Sequence, residues 1–158
     1  MTHKSLQLRL HPDTVLRTRA SPVGDVDGAV RALMKAMTRL MRGLKGIGLA
    51  APQVGIAQRV IIADIGEELL VLANPEICAP EGEDRLREGC LSLPNIQVDV
   101  RRAQSILVRG IGHDGKELER ELRGLAARVI QHEIDHLNGV LIIDHGPAII
   151  TIEDNQHG

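Results

Sequence analysis

Hydrophobic residues recur along this chain in two periods. From Val26, the segment VDGAVRALMKAMTRLMRGL carries apolar side chains at Val30, Leu33, Met34, Met37, Leu40 and Met41, a spacing that gathers them on one face of a helix. The spacing predicts an amphipathic helix near the N-terminus. Its methionine and leucine stripe is read as core packing, where unbranched side chains fill irregular gaps. Two aliphatic, β-branched runs follow, RVIIADI and LLVLANP, separated by GEE and stopped by Pro75; they predict a buried strand pair. SILVRGIG and KELEREL flank HDGK, where Asp114-Gly115 suits a tight hairpin because glycine accepts a positive φ at little cost. A second helical period, from about 125 to 137, is stopped by Asn138 and Gly139, and VLIID leaves it as another short strand. This order predicts an α+β fold of mostly antiparallel strands packed around the late helix.

Composition narrows the picture. The chain has 158 residues, enough for one domain with a sizeable core, so residues 1–158 are expected to form a single unit. Nineteen basic and twenty-one acidic residues leave a formal charge of -2 with no long run of one sign, so neither nucleic acid nor an anionic membrane is an implied partner. No stretch approaches the ~20 apolar residues that span a bilayer, and the N-terminus lacks the apolar core of a signal peptide. A cytoplasmic location is expected. Phe, Tyr and Trp are absent although 43% of the residues are hydrophobic, so Leu, Ile, Val, Ala and Met must fill the core without the large area that aromatic rings supply.

Candidate chemistry is concentrated in QHEIDHLNG, residues 131 to 139. Residues four apart on a helix share a face, so His132 and His136 can offer two imidazoles to one ion, with Glu133 about 100° around from the first. H-E-x-x-H of this kind suits two metal ligands and an adjacent base. A catalytic centre takes three protein ligands and keeps a position open, so a third must come from elsewhere. The metzincin pattern requires a histidine where Ile142 stands. His145 and Glu153 lie downstream. Cys90, in REGCLSLPN, is the stronger candidate: Gly89 permits close backbone approach and Pro94 ends the segment, so a thiolate can be presented from a strand edge. Residue type alone leaves an inert buried thiol open. Cys78 lies outside every motif and is read as a buried bystander.

GIGLAAPQVG (46 to 55), EGCLSLP (88 to 94) and QHEIDHLNG together closely resemble the three signature motifs of peptide deformylase, in order and spacing. The likeness runs through HPDTVLRTRASPV, NPEI, VRRA and DGKELERELRGLAARVIQHEIDHLNGVLIID, covering about residues 8 to 144.

The resemblance implies a metal-dependent hydrolase that removes the formyl group from N-formylmethionine at the start of newly made polypeptides. Cys90, His132 and His136 would hold one divalent ion, Fe(II) favoured, with zinc, nickel or cobalt also compatible with such a set. Glu133 would be the general base. The side-chain amide of Gln53 and the backbone N–H of Leu91 would stabilise the oxyanion. Ile47, Gly48 and Gly89 match positions where the backbone pairs with substrate as an added strand. Leu86, Leu125 and Val129, with the ring of His132, match the methionine slot, and Glu88 and Arg102 a supporting pair. After Asp144 the chain reads HGPAIITIEDNQHG, so residues 144 to 158 form an atypical tail in place of the family's long C-terminal helix. Attachment to the ribosome through such a helix is therefore in doubt. Two other classes compete: an H-E-x-x-H metalloprotease, which would not need Cys90, and a non-catalytic metal-binding protein, which would not need Glu133, Gln53 and Leu91.

Overall fold

The computed structural model describes residues 6–151. It is α+β: helices α1 (Gly28–Gly43) and α2 (Gly124–Leu137) and eight strands whose pairings are all antiparallel. β1 (Gly48–Ala50), β2 (Val60–Asp64), β3 (Leu69–Glu81), β6 (Ser105–Ile111) and β7 (Glu117–Arg123) form a five-stranded sheet in that order. β4 (Asp84–Cys90), β5 (Leu93–Arg102) and β8 (Ile149–Ile150) form a second sheet. No described helix is long and apolar enough to cross a membrane.

The larger sheet lies between the two helices, which explains the unbroken apolar run of β2. Ile61 and Ala63 pack with Leu70, Leu72 and Val108 against Ala127, Ile130, Ile134 and Leu137 of α2. Val60 and Ile62, pointing the other way, pack with Leu49 against Leu33, Met34, Met37 and Met41 of α1. A strand covered on both faces has no polar side to alternate with. Methionine fills space here without aromatic help: Met37 and Met41 are fully buried. Asp27 caps α1 by accepting from the Val30 N–H at 3.0 Å, satisfying one of the unpaired donors of the first turn. The second sheet has its own core, where Leu93, Val98 and Val100 meet Leu16, Leu141 and Ile142.

Three local expectations are corrected. VLIID is not a strand: Ile142–Asp144 is a 3-10 turn, because the Asp144 carboxylate accepts from the Leu141 N–H at 2.9 Å and folds the chain back so that Leu141 and Ile142 are buried. Pro75 does not stop the second run. β3 continues to Glu81 through a register shift between Ala73 and Glu76, an irregularity in which proline costs no ladder bond. Pro94 likewise lies within β5, where Gly89 pairs with Gln97 but Cys90 with Leu93, leaving 94–96 without partners on β4. The tail segment AIITI does contribute β8, through Ile149 and Ile150 on β5.

Candidate active site

α2 and the end of β4 bring the distant chemical groups together. His132 and His136 share a face of α2, and the slip between Gly89 and Cys90 turns Cys90 towards them. One ligand atom from each of Cys90, His132 and His136 lies within 4.8 Å of the others, and Cys90 Sγ is 3.3 Å from His136 Nε2. Glu133, only 4% exposed, sits beside them, and its Oε1 has no hydrogen-bond partner. Gly48 of β1 leaves the space that Glu133 occupies: a Cβ there would collide with the carboxylate.

The surrounding polar groups orient this set. Gln53 is fixed at both ends of its amide, with Oε1 accepting from the Ala50 N–H at 3.0 Å and Nε2 donating to Ser92 Oγ at 3.1 Å, 3.8 Å from Cys90 Sγ. Behind His132, Glu88 is almost fully buried. Its Oε1 lies 2.9 Å from His132 Nδ1 and 2.9 Å from Arg102 Nη2, and its Oε2 accepts from Arg102 Nε at 2.9 Å and from Arg128 Nη1. Arg102 also donates to Asp135 Oδ2 at 2.7 Å. With Nδ1 bound to Glu88, the other ring nitrogen of His132 is the one left for an ion.

Burial and neighbouring charges pull the groups of this site in different directions. Burial opposes ionisation of His132, but its contacts with Cys90 and Glu88 and the charge of Glu133 raise it to about 10. Burial, then the charges of His132 and Arg102, hold His136 well below its usual value, so its ring is neutral with a lone pair to give. Burial raises Glu133 to about 7, against the opposing charges of His132 and Arg102. Burial also disfavours ionised Glu88, yet Arg102 and His132 outweigh it and hold the carboxyl well below its ordinary range. A thiol and two imidazoles suit a borderline divalent ion.

The polypeptide deformylase family model matches residues 5–150. The chain belongs to this family. A peptide deformylase of Thermodesulfovibrio yellowstonii is 44% identical over 144 residues, covering 88% of this chain and 87% of the relative. One from Syntrophomonas wolfei is 47% identical over 133 residues, covering 84% and 88%. Among solved structures, the peptide deformylase of Thermotoga maritima superposes with a TM-score of 0.87 at 44% identity, over 90% of this chain and 98% of that one. The Synechococcus elongatus enzyme, solved with actinonin, gives 0.86 at 38% identity, over 99% and 83%. The family is metal-dependent, and Cys90, His132 and His136 form a group able to hold an ion.

A cleft of about 690 Å³ is lined by Ile47, Gly48, Gln53, Leu86, Glu88, Gly89, Cys90, Leu91, Leu125, Val129, His132 and Glu133. It therefore gathers most residues singled out in the sequence. β1 and β4 are edge strands of their sheets. Val129 is buried, whereas Leu86 and Leu125 are 51% and 65% exposed. A Cβ at Gly89 would meet, among the described residues, only Ile96 O, at 3.8 Å. His145 bonds to Asp135 at 2.9 Å instead of joining the ligand group. Glu153 lies outside the described residues, and Cys78, in register with Leu107 in the five-stranded sheet, is half-buried and not fully buried as expected.

Sequence reasoning missed Ser92, Asp135 and Arg128. Arg128, 4% exposed, also donates to the Val100 carbonyl at 3.1 Å and to Asp84, tying α2 to β4 and β5. Its position four residues before His132 was the available signal, since that spacing puts both on one helix face.

Proposed function

We propose that the chain uses Cys90, His132 and His136 to hold one divalent ion and Glu133 as general base to hydrolyse the formyl amide of N-formylmethionyl nascent peptides, yielding formate and a free amino terminus. The convergence of three ligand atoms within 4.8 Å, beside a buried carboxylate with an unpartnered oxygen, carries this reading. An ion bound there supplies a Lewis acid that polarises a carbonyl and brings the pKa of water towards neutrality. Glu133 takes the proton of the attacking water at its free carboxylate oxygen. The same carboxyl then delivers that proton to the leaving nitrogen. The Gln53 amide, locked by Ala50 and Ser92, and the Leu91 N–H donate to the oxyanion. Because their aim is set before reaction, no reorganisation is needed as charge develops.

Ile47, Gly48 and Gly89 read the substrate backbone along the two strand edges, while Leu86, Leu125 and Val129 hold the methionine side chain by area burial. Glu88, with Arg102 behind it, keeps His132 in the ligand tautomer. On this reading residues 1–158 form one catalytic domain with a short tail from 144, Fe(II) is the favoured ion, and the protein works in the cytoplasm. Formate release from a formyl-Met peptide, measured after anaerobic loading with Fe(II) and separately with zinc, tests the proposal. Formate with either ion supports it; cleavage of internal peptide bonds without formate would favour the metalloprotease.

A further inference from the structure

The near balance of total charge hides a local asymmetry. Between Asp27 and Asp64 there is no acidic residue, yet Arg31, Lys35, Arg39, Arg42, Lys45 and Arg59 all lie there. The rest of the chain carries thirteen basic against twenty-one acidic residues. α1 converts this into a surface. Its stripe of Val30, Leu33, Met34, Met37 and Met41 is buried on the five-stranded sheet, so Arg31, Lys35, Arg39 and Arg42, at steps of four, four and three, extend from the exposed face. Among the described residues, none of these four, nor Lys45, forms an ion pair. Arg31 donates only to the Val26 carbonyl, at 2.8 Å. Arg109 of β6 and Arg120 of β7 are by contrast each paired with a glutamate. Arg31 to Arg42 spans about 16 Å of helix axis, and Lys45, just beyond α1, stands on the rim of the cleft.

We propose that the exposed face of α1 is a docking surface for the phosphate backbone of RNA. A row of unpaired cations matches a row of phosphates, and release of condensed counterions drives such binding without any base being read. The face offers an anionic membrane little to insert, because α1 exposes no large apolar side chain and Leu44, 40% exposed, lies past its last turn. The choice of RNA over other polyanions rests on the proposed substrate, a newly made chain still held by the RNA-rich machine that makes it. Docked through α1, the protein would present its cleft beside Lys45 to that chain.

The test measures binding of a fluorescein-labelled RNA stem-loop to the full chain by anisotropy across a potassium chloride series, alongside turnover of a short formyl-Met peptide. With about four phosphates neutralised, log Kobs should fall against log salt with a slope of roughly -3 to -4. A variant carrying Arg31→Glu, Lys35→Glu, Arg39→Glu and Arg42→Glu should lose at least about tenfold in affinity at low salt and most of the slope. The corresponding glutamine variant should fall between it and the wild type. Arg109→Glu should bind as the wild type does, and peptide turnover should be unchanged in all of them. An unaltered slope in both four-site variants, or an equal loss in Arg109→Glu, would overturn the surface. Tighter binding to phosphatidylglycerol vesicles than to RNA would also overturn it, in favour of a membrane. RNA binding without formate release would sink the proposed activity alone, and formate release without RNA binding the docking surface alone.

Discussion

Replacing Gly48 by alanine asks whether Glu133 must sit where it does. The new Cβ would collide with the Glu133 carboxylate, 3.0 Å from its carboxyl carbon, and would lie 2.9 Å from Val129 Cγ1. Both neighbours belong to α2, with Glu133 4% and Val129 6% exposed, so relief of the contact must shift the Glu133 carboxylate from its place. β1 is held as well, with Gly48 in register with Ala63 of β2. Overpacking of this kind costs about 1 to 3 kcal/mol, which lowers Tm by roughly 2 to 12 °C in a chain of this size. The larger effect is on rate. A displacement of about 1 Å in a catalytic group can cost on the order of a hundredfold, so kcat for a formyl-Met peptide should fall by about that factor. Ion content should stay at the wild-type level, since the three atoms nearest the Cβ belong to Glu133 and Val129, not to Cys90, His132 or His136. Steady-state kinetics, metal analysis and a thermal melt, with Gly28→Ala as a control whose Cβ meets nothing within 4 Å, separate the effects. A kcat within threefold of wild type at normal ion content would refute the argument; a change confined to KM would assign Gly48 to substrate binding alone.

Glu88→Gln should destabilise the chain by about 3 to 5 kcal/mol, because Arg102 and Arg128 would be left buried without a full counter-charge; chemical denaturation measures it. The native carboxyl of Glu88 lies below its unfolded value of 4.5, so its contribution is present above that pH and lost as pH falls. The wild type should therefore lose its advantage over Glu88→Gln on acidification, and a constant difference from pH 7 to pH 3 would contradict the shift. Arg128→Leu should weaken ion binding by about tenfold or more through misorientation of Glu88 and His132; unchanged affinity in chelator competition would confine Arg128 to packing. Formyl-Met peptides should exceed formyl-Ala peptides in kcat/KM by about ten- to a hundredfold, the value of burying most of a methionine side chain, and equal values would sink the slot formed by Leu86, Leu125 and Val129.

The elements written in strong periodicity were legible: α1, α2, the β2–β3 pair and the β6–β7 hairpin. β4 was hidden because four of its seven residues are charged and only Glu88 and the partly covered ends leave solvent; it is held by pairing with β5 and gives no apolar alternation. β1 is three residues of GLA, too short for a period. The strand expected at VLIID failed because a side chain, Asp144, competes for the Leu141 backbone, a local choice that hydrophobicity does not encode. At the site, the residues that the motifs name converge in the structure, but their supports do not announce themselves. Ser92 reaches Gln53 across 39 positions and Arg128 reaches Glu88 across 40. Such long-range polar contacts depend on strand register, and a single chain shows no register.

The central claim is that Glu133 moves the proton at an ion held by Cys90, His132 and His136, and formate release by ion-loaded Glu133→Gln tests it most directly. Glutamine keeps the size of the side chain and removes its capacity to accept a proton. The account predicts about one ion per chain, as in the wild type, with kcat reduced by about 100- to 10,000-fold. Formate release within a few times the wild-type rate, at full ion content, would contradict it.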